Sequence, residues 1–408
     1  MNLPATGFHE SVTIGGETFP LLAVSRHGSC TAMTAVHSKS FPHSLGGARF
    51  REASSLEEVA HLASAMTVKC LAAEIPAGGQ KSVLVVPAGV PSIHERAALL
   101  ASHIDFVRSR YPGAIFGPDM NNPEAVLDQV ARSRPDLVVH LAGLSRECNG
   151  LSIDANGYTA QGLVQSIRVW QEVAHQRFDT ACIQGFGAVG AHAARLLHGI
   201  GMRVRAVSNR LGCAASRAFS GLDIPAFFAA WHDGGDEGVA HHAQNNPNSV
   251  LWENRPDAVF DRPADVVVFA AGTSCFGVES EIPALRSENA NVADVAELLK
   301  KTSLKFVAEG ANHPLSTAAE SFLELRGIAV PPDFIVNCAG VIGCWVEWKM
   351  RSEGKEVGDA GQSVALEHVR RVIDVNTRLL AGSHRASRAA AMEIANYKRE
   401  MLTVRCLR

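Results

Sequence analysis

One six-residue stretch constrains this chain more than any other. Gly185-Phe186-Gly187-Ala188-Val189-Gly190 spaces its glycines as G-x-G-x-x-G, directly after a β-prone run at Thr180 to Gln184. It opens a helical pattern from Ala188 to about Ile200, with Val189, Ala193, Leu196 and Leu197 on one face. In that context each glycine has a physical task. Gly185 permits the tight turn, Gly187 lets backbone approach a pyrophosphate, and Gly190 lets the helix pack on the strand. The free N–H groups of Ala188 and Val189 at the helix start, with the positive end of the helix dipole, complete an anion site. Strand, turn and helix then repeat, with β-prone runs at Val204 to Val207, Val266 to Ala270 and Phe306 to Ala308. A helix from Ala160 to about His175 precedes them. The pattern implies a Rossmann-type dinucleotide-binding domain.

An acid at the end of the second strand ordinarily meets the 2′-hydroxyl of the adenosine ribose. Here the text reads Ser208-Asn209-Arg210, a hydroxyl, an amide and a guanidinium. That set can accept a 2′-phosphate, so the expected cofactor is NADP or NAD, with NADP slightly favoured; the plain alternative is that Arg210 is a solvated loop residue.

The chain has 408 residues, 47% of them hydrophobic, which is enough for two packed domains. The net charge of -3 gives no basic footprint for nucleic acid. Nine cysteines, odd in number and without C-x-x-C spacing, fit reduced thiols. No basic-then-apolar leader opens the sequence, and no apolar run approaches the ~18 residues of a membrane span. A cytoplasmic protein with neither membrane nor nucleic-acid partner is expected, and no metal site.

The first part of the chain reads as a separate α/β domain. Ser55-Leu56-Glu57-Glu58 has the form of a capping box, followed by Leu56, Val59, Leu62, Ala63 and Met66 at helical spacing. Ser82 to Val86, Ala114 to Phe116 and Asp136 to Leu141 look like strands, with a helix near Pro123 to Ser133. Polar Asn149 to Gly157 reads as a hinge. The stretch from Asp233 to Asn254 reads as a surface excursion in which His241 and His242 are solvated. Gly361 to Arg408 reads as closing helices. The expected division is 1–150 for substrate binding and oligomerisation, 151–365 for the dinucleotide, and 366–408 for helices packing back on the first domain.

Two lysines, Lys69 and Lys81, flank the turn Pro76-Ala77-Gly78-Gly79. Ammonium groups sharing a cleft disfavour each other's charge, and burial disfavours both. One of them can then be neutral near pH 7 and act as a base. Two exposed lysines on a loop are the plain alternative.

This segment, with Leu45-Gly46-Gly47-Ala48-Arg49-Phe50 before it, resembles the glutamate/leucine/phenylalanine/valine dehydrogenase family. The resemblance continues through Gly117-Pro118-Asp119-Met120, Tyr158-Thr159-Ala160, the glycine turn, Val307 to Asn312, and Asn337-Cys338-Ala339-Gly340-Val341. The motifs keep the family's order over residues 35 to 350. The resemblance implies a two-domain α/β enzyme with a cleft between its domains, interconverting an L-amino acid with its 2-oxo acid and ammonia, and a homo-oligomer. It implies that Lys69 holds the substrate carboxylate with the Gly46-Gly47 backbone, that Lys81 activates water, and that Asp119 shuttles protons. It puts Thr159 and Asn312 near the nicotinamide carboxamide and ribose, and Asn337 in the cofactor and substrate cleft.

The sequence departs from the family at Glu74, at Gln80 and at Cys338, where glycine, glycine and alanine are common. It also departs at Leu45 and Cys344, where the glutamate branch has lysine and serine. With Val341 these predict a side-chain pocket without a cation, suited to an apolar or aromatic amino acid; the alternative is that another basic residue, such as Arg49 or one in the 233–254 stretch, reaches the pocket. Two other readings stay open: a reductase or condensing enzyme acting on a 2-oxo acid without ammonia, and a non-catalytic NAD(P)-binding regulator.

Overall fold

The computed structural model describes residues 6–271, 295, 296, 299, 303–382 and 388–406. Contacts divide the chain into two compact units. One comprises Met1–Asn156, Gly340–His368 and Ala395–Arg408, the other Gly157–Ala339 and Val369–Ile394. The first thus includes residues 340–365, which the sequence assigned to the dinucleotide domain. The closing helices are shared between the two units.

The first unit is built on a six-stranded sheet in the order β1-β4-β5-β7-β6-β8. The strands are β1 (Gly7–His9), β4 (Leu21–His27), β5 (Cys30–Val36), β6 (Ser44–Arg51), β7 (Gly78–Val85) and β8 (Ala114–Gly117). β2 (Val12–Ile14) and β3 (Glu17–Phe19) form a separate hairpin. β6 pairs in parallel with both β7 and β8, and the other pairs are antiparallel.

Strand alternation sends odd and even residues of β7 to opposite faces. Val83 packs with Val59, Ala60 and Ala63 of α1 (Leu56–Ala72). Leu84 packs with Leu100 and Ile104 of α2 (Ile93–Arg110) and Val126 of α3 (Glu124–Ser133). The result is a three-layer sandwich in which Lys81, with the parity of Val83, faces α1. Ser82, on the other side, meets a buried hydrogen-bonded chain. Thr34 Oγ1 lies 2.7 Å from both Ser82 Oγ and His103 Nε2, and Ser25 Oγ lies 2.7 Å from His103 Nδ1.

Half of the expected capping box forms. Ser55 Oγ accepts from the Glu58 N–H at 3.2 Å, but the Glu58 carboxylate turns to Arg49, Arg51 and Ser54. Glu74, just past α1, has φ 57°, the left-handed conformation that explains a common glycine there. Lys398 from the last helix, Arg388–Cys406, supports it, donating to Ala72 O at 3.2 Å and pairing with Glu74 at 2.9 Å. Gln80 is fully buried and bridges strands, accepting from Ser44 Oγ at 2.6 Å and donating to Ile115 O at 2.8 Å.

The second unit carries a sheet in the order β12-β11-β10-β9-β13-β14. β9 (Thr180–Gln184), β10 (Arg203–Asn209), β13 (Val266–Phe269) and β14 (Phe306–Glu309) run parallel. β11 (Gly212–Ser216) and β12 (Val250–Glu253) extend the sheet antiparallel at one edge. The strand order reverses at β9, the place where open α/β sheets bind ligands. α4 (Tyr158–Val173) and α5 (Ala188–Gly199) belong to this unit, and a Cβ on Gly157 would lie 2.4 Å from His192 Cγ. The glycine expected to turn the chain after β13, Gly272, lies outside the described residues.

Two sequence expectations are corrected. Asp136 to His140 are not strand but lie in a 3₁₀ helix, Pro135–His140, while Leu141 makes a single parallel bridge to Phe116. Pro135 sits at its first position, where a fixed φ suits a helical start, and Leu137 and His140 are buried three residues apart while Val139 is exposed. The stretch from Asp233 to Asn254 is likewise not a loop excursion. Most of it is the second half of α6 (Ile224–Gln244), broken at Gly235 (φ 58°), followed by β12. Val239, Ala240 and Ala243 recur at helical spacing and are buried. His241 is exposed, but His242 is half-buried with its ring 4.8 Å from that of Phe227.

Candidate active site

α1 and β7 approach with almost nothing between them. A Cβ on Gly79 would lie 2.1 Å from the Thr67 nitrogen and 2.3 Å from the Ala63 oxygen. That contact sets the last turn of α1, which carries Lys69, over the strand that carries Lys81. In-register pairing puts Leu45 and Arg49 of β6 on the same face as Gly79 and Val83. Gly46 and Gly47 pair with Phe116 and Gly117 of β8. A Cβ on Gly47 would meet Asp119 Oδ2 at 2.6 Å, so the missing side chain is what lets the Asp119 carboxylate reach the sheet.

Lys81 and Asp119 form a direct ion pair. Asp119 also accepts from Arg49 Nη2 at 3.2 Å and from the Met120 N–H at 2.7 Å. Arg49, buried in turn, contacts Glu58 at 3.5 Å. Burial pushes the Lys81 ammonium down to about 8; Asp119 opposes that shift, and Arg49 and Lys69 add to it. Burial alone would raise the Asp119 carboxyl, but Lys81 and Arg49 outweigh it and hold it below the usual carboxylate range. Lys69 is buried as well, at 8% exposure. The two lysines are therefore not exposed loop residues. The sequence reading missed Arg49 and Glu58 as members of this cluster. No sequence signal pointed to the cluster: Ser55 and Glu58 read as a capping box, whereas the Glu58 carboxylate is spent on Arg49, Arg51 and Ser54.

Leu45 is buried, Val341 is half-buried, and Cys344 is buried in the helix Ala339–Ser352. The Cys344 sulfur lies 4.0 Å from where a Gly117 Cβ would be and 3.4 Å from a Gly143 Cβ. Its thiol is pushed well above its ordinary range by burial, then by Glu347, Asp154 and Glu124, with Arg351 opposing. Arg351 is itself ion-paired to Glu347.

In the second unit, the Gly185 N–H donates to Ser208 O at 3.0 Å, so the glycine turn abuts the end of β10. Gly185 has φ 90°, and a Cβ on Gly190 would lie 1.8 Å from Gly185 O. Open space surrounds the Cβ direction of Gly187, and no side chain caps α5 there. An uncapped helix start facing open space fits a dinucleotide pyrophosphate. Thr159 lies in the first turn of α4. Asn337 donates to Asn312 Oδ1 at 3.3 Å, while its own buried Oδ1 accepts from nothing among the described residues. Arg388, not singled out from sequence, ties Glu309, Glu320 and Asp333 together behind these asparagines. Ser208 and Asn209 are buried, and Arg210 is held by two acids of α6. The lysine set lies in the first unit and the glycine-turn set in the second.

Known proteins share the family and the fold. The family model described as Glutamate/Leucine/Phenylalanine/Valine dehydrogenase matches residues 150–399, and the one described as Glu/Leu/Phe/Val dehydrogenase, dimerisation domain, matches residues 22–133. The NADP-specific glutamate dehydrogenase of Synechocystis is 27% identical over 368 residues, covering 84% of this chain and 80% of the relative. Glutamate dehydrogenase B of Halobacterium salinarum is 28% identical, covering 74% of this chain and 66% of the relative. The fold matches the hetero-hexameric glutamate dehydrogenase of Thermus thermophilus, leucine-bound, with a TM-score of 0.72 at 21% identity, over 95% of this chain and 85% of that one. It also matches Plasmodium falciparum glutamate dehydrogenase, TM-score 0.75 at 16% identity, over 93% and 79%. Among the described residues no helix is long and apolar enough to cross a membrane. The chain belongs to the glutamate/leucine/phenylalanine/valine dehydrogenase family and is an NAD(P)-dependent amino-acid dehydrogenase.

Proposed function

We propose that the protein catalyses the reversible oxidative deamination of an L-amino acid with an apolar or aromatic side chain. The observation that carries the chemistry is the buried Lys81–Asp119 pair with the Lys81 pKa lowered to about 8. When bound, NAD or NADP supplies the hydride acceptor. Lys69 holds the α-carboxylate beside the Gly46-Gly47 backbone and so orients Cα. Lys81, once deprotonated, takes a proton from the water that adds to the imino acid. Asp119 passes protons to and from the substrate nitrogen. Because it is ion-paired to Lys81, the two titrate as one unit rather than as independent groups.

The side-chain preference rests on Leu45, Val341 and Cys344. No basic group approaches Cys344 except Arg351, already neutralised by Glu347, among its strongest charged neighbours. Glu124 and Asp154 add repulsion there when ionised, burial having raised both carboxyls, Glu124 to about 7. A γ-carboxylate buried against this wall would lose water and meet repulsion, a cost of several kcal/mol. An aliphatic or aromatic group would gain about 25 cal/mol per Å² of apolar area buried. The second reading is glutamate, favoured by the names of the relatives above. Comparing kcat/KM for leucine, valine, phenylalanine, tryptophan and glutamate decides between them, and a clear lead for glutamate sinks the apolar assignment. The same assay run with and without ammonium in the reductive direction tests the deamination chemistry itself.

A further inference from the structure

The end of β10 lacks the acid that ordinarily meets a ribose 2′-hydroxyl, and Asn209 occupies that ground. Its side chain is committed to structure. Asn209 Oδ1 accepts from the N–H groups of Leu211 at 2.9 Å and Gly212 at 3.3 Å, which turns the chain into β11. Asn209 Nδ2 donates to the backbone oxygen of Asp236 at 3.0 Å. That bond fastens the second half of α6 to the end of β10. The break in α6 at Gly235, with φ 58° and ψ -138°, is what turns Asp236 and Glu237 toward it.

There the two acids take hold of Arg210. Its Nε donates to Asp236 Oδ2 at 2.6 Å and its Nη2 to Glu237 Oε1 at 2.9 Å. Arg210 is the one basic group of the Ser208-Asn209-Arg210 triplet, and it is directed into carboxylates from another element. Exposed ion pairs of this kind are individually weak, so the pair does not fix Arg210 permanently. What it changes is the charge that an incoming ligand meets. A 2′-phosphate drawn to Arg210 finds two carboxylates already on the same guanidinium. A 2′-hydroxyl finds hydrogen-bond acceptors.

We propose that Asp236 and Glu237 are the residues that set the balance between the two dinucleotides in this enzyme, by occupying Arg210 and repelling the 2′-phosphate. Selectivity then comes from the repulsive element as much as from the attractive one. The acid ordinarily supplied by the second strand is supplied from α6 instead. The proposal rests on reading the Gly185–Gly190 turn as the dinucleotide site.

The test is calorimetric titration of the full chain with ADP-ribose and with 2′-phospho-ADP-ribose, the adenosine-side portions of the two cofactors, which need no turnover. In the double variant Asp236→Asn, Glu237→Gln, affinity for the 2′-phosphate form is expected to rise tenfold or more. Affinity for ADP-ribose is expected to stay within threefold or to weaken. Adding Arg210→Ala to the double variant should abolish the gain. Glu237→Gln alone, at an exposed position, should give part of it and guards against misfolding of the double variant. If ADP-ribose binds to the wild type and the ratio of the two affinities is unchanged in both variants, the inference is overturned while the site stands. If the wild type binds neither compound, the dinucleotide reading falls and takes the inference with it.

Discussion

The Gly79 N–H donates to Thr67 Oγ1 at 2.9 Å, a hydrogen bond between strand backbone and helix side chain so close that no room is left for a Cβ on Gly79. Gly79→Ala must therefore push α1 from β7. Overpacking of this sort costs about 1–3 kcal/mol, and the displacement falls on the turn carrying Lys69. A drop in melting temperature together with a raised KM for the amino acid is expected. A variant with unaltered stability and KM would show that the contact is slack.

Lys81→Ala should lower kcat by roughly 10²–10⁴-fold, the usual weight of a positioned acid–base group. Lys69→Ala should act mainly on KM. The split is incomplete, since Lys69 helps lower the pKa of Lys81. Steady-state kinetics with cofactor binding as a control distinguishes loss of chemistry from loss of the site, and near-normal turnover in Lys81→Ala ends the assignment.

The pH profile carries its own sign. Lys81 works as a base when neutral, so kcat/KM for deamination should rise with pH up to about 8 and then level. Asp119 favours the protonated lysine, so Asp119→Asn should move that limb to lower pH while reducing the maximum. A limb that stays in place would separate the profile from Lys81.

His103 gives a prediction about stability rather than turnover. Burial lowers its pKa from 6.5 to about 3. The unfolded chain takes up a proton near 6.5 and the folded one does not until far lower. The stabilisation is therefore complete above pH 6.5 and is lost as pH falls from about 6.5 toward 3. The slope is about 1.4 kcal/mol per pH unit from this one group. Melting temperatures between pH 7 and 4 should fall less steeply in His103→Asn than in the wild type.

At the substrate pocket, Leu45→Lys would add a cation to a wall that has none of its own. The ratio of kcat/KM for glutamate to that for leucine should rise by about an order of magnitude, as expected from gaining a charge-assisted hydrogen bond. No movement in the ratio would show that Leu45 does not line the pocket.

The parts of this molecule legible in its sequence are those encoded locally. Strand, glycine turn and helix around Gly185 are contiguous, and so are the two lysines around Gly78-Gly79. What sequence could not supply are pairings across distance. Arg49 reaches Asp119, seventy residues on, and nothing in the text near Arg49 announces it. Arg210 looked free because its acids lie in a stretch whose glycines, Gly234 and Gly235, resemble a loop. One of those glycines merely breaks a helix. At Asp136 to Leu141 the apolar run fits a strand equally well, and only Pro135 at its head favours the 3₁₀ turn that forms.

The bond from Lys398 to Ala72 O spans 326 residues. On a ribosome adding about 5–20 residues per second, α1 emerges on the order of tens of seconds before the lysine that finishes its C-terminal end. Throughout that interval the nascent chain already holds Lys69 and Lys81, but the turn between them has not received its last support. Synthesis thus has an order in which the reactive face is laid down early and secured late. Messages interrupted before position 398 would yield chains with the chemistry written but not braced.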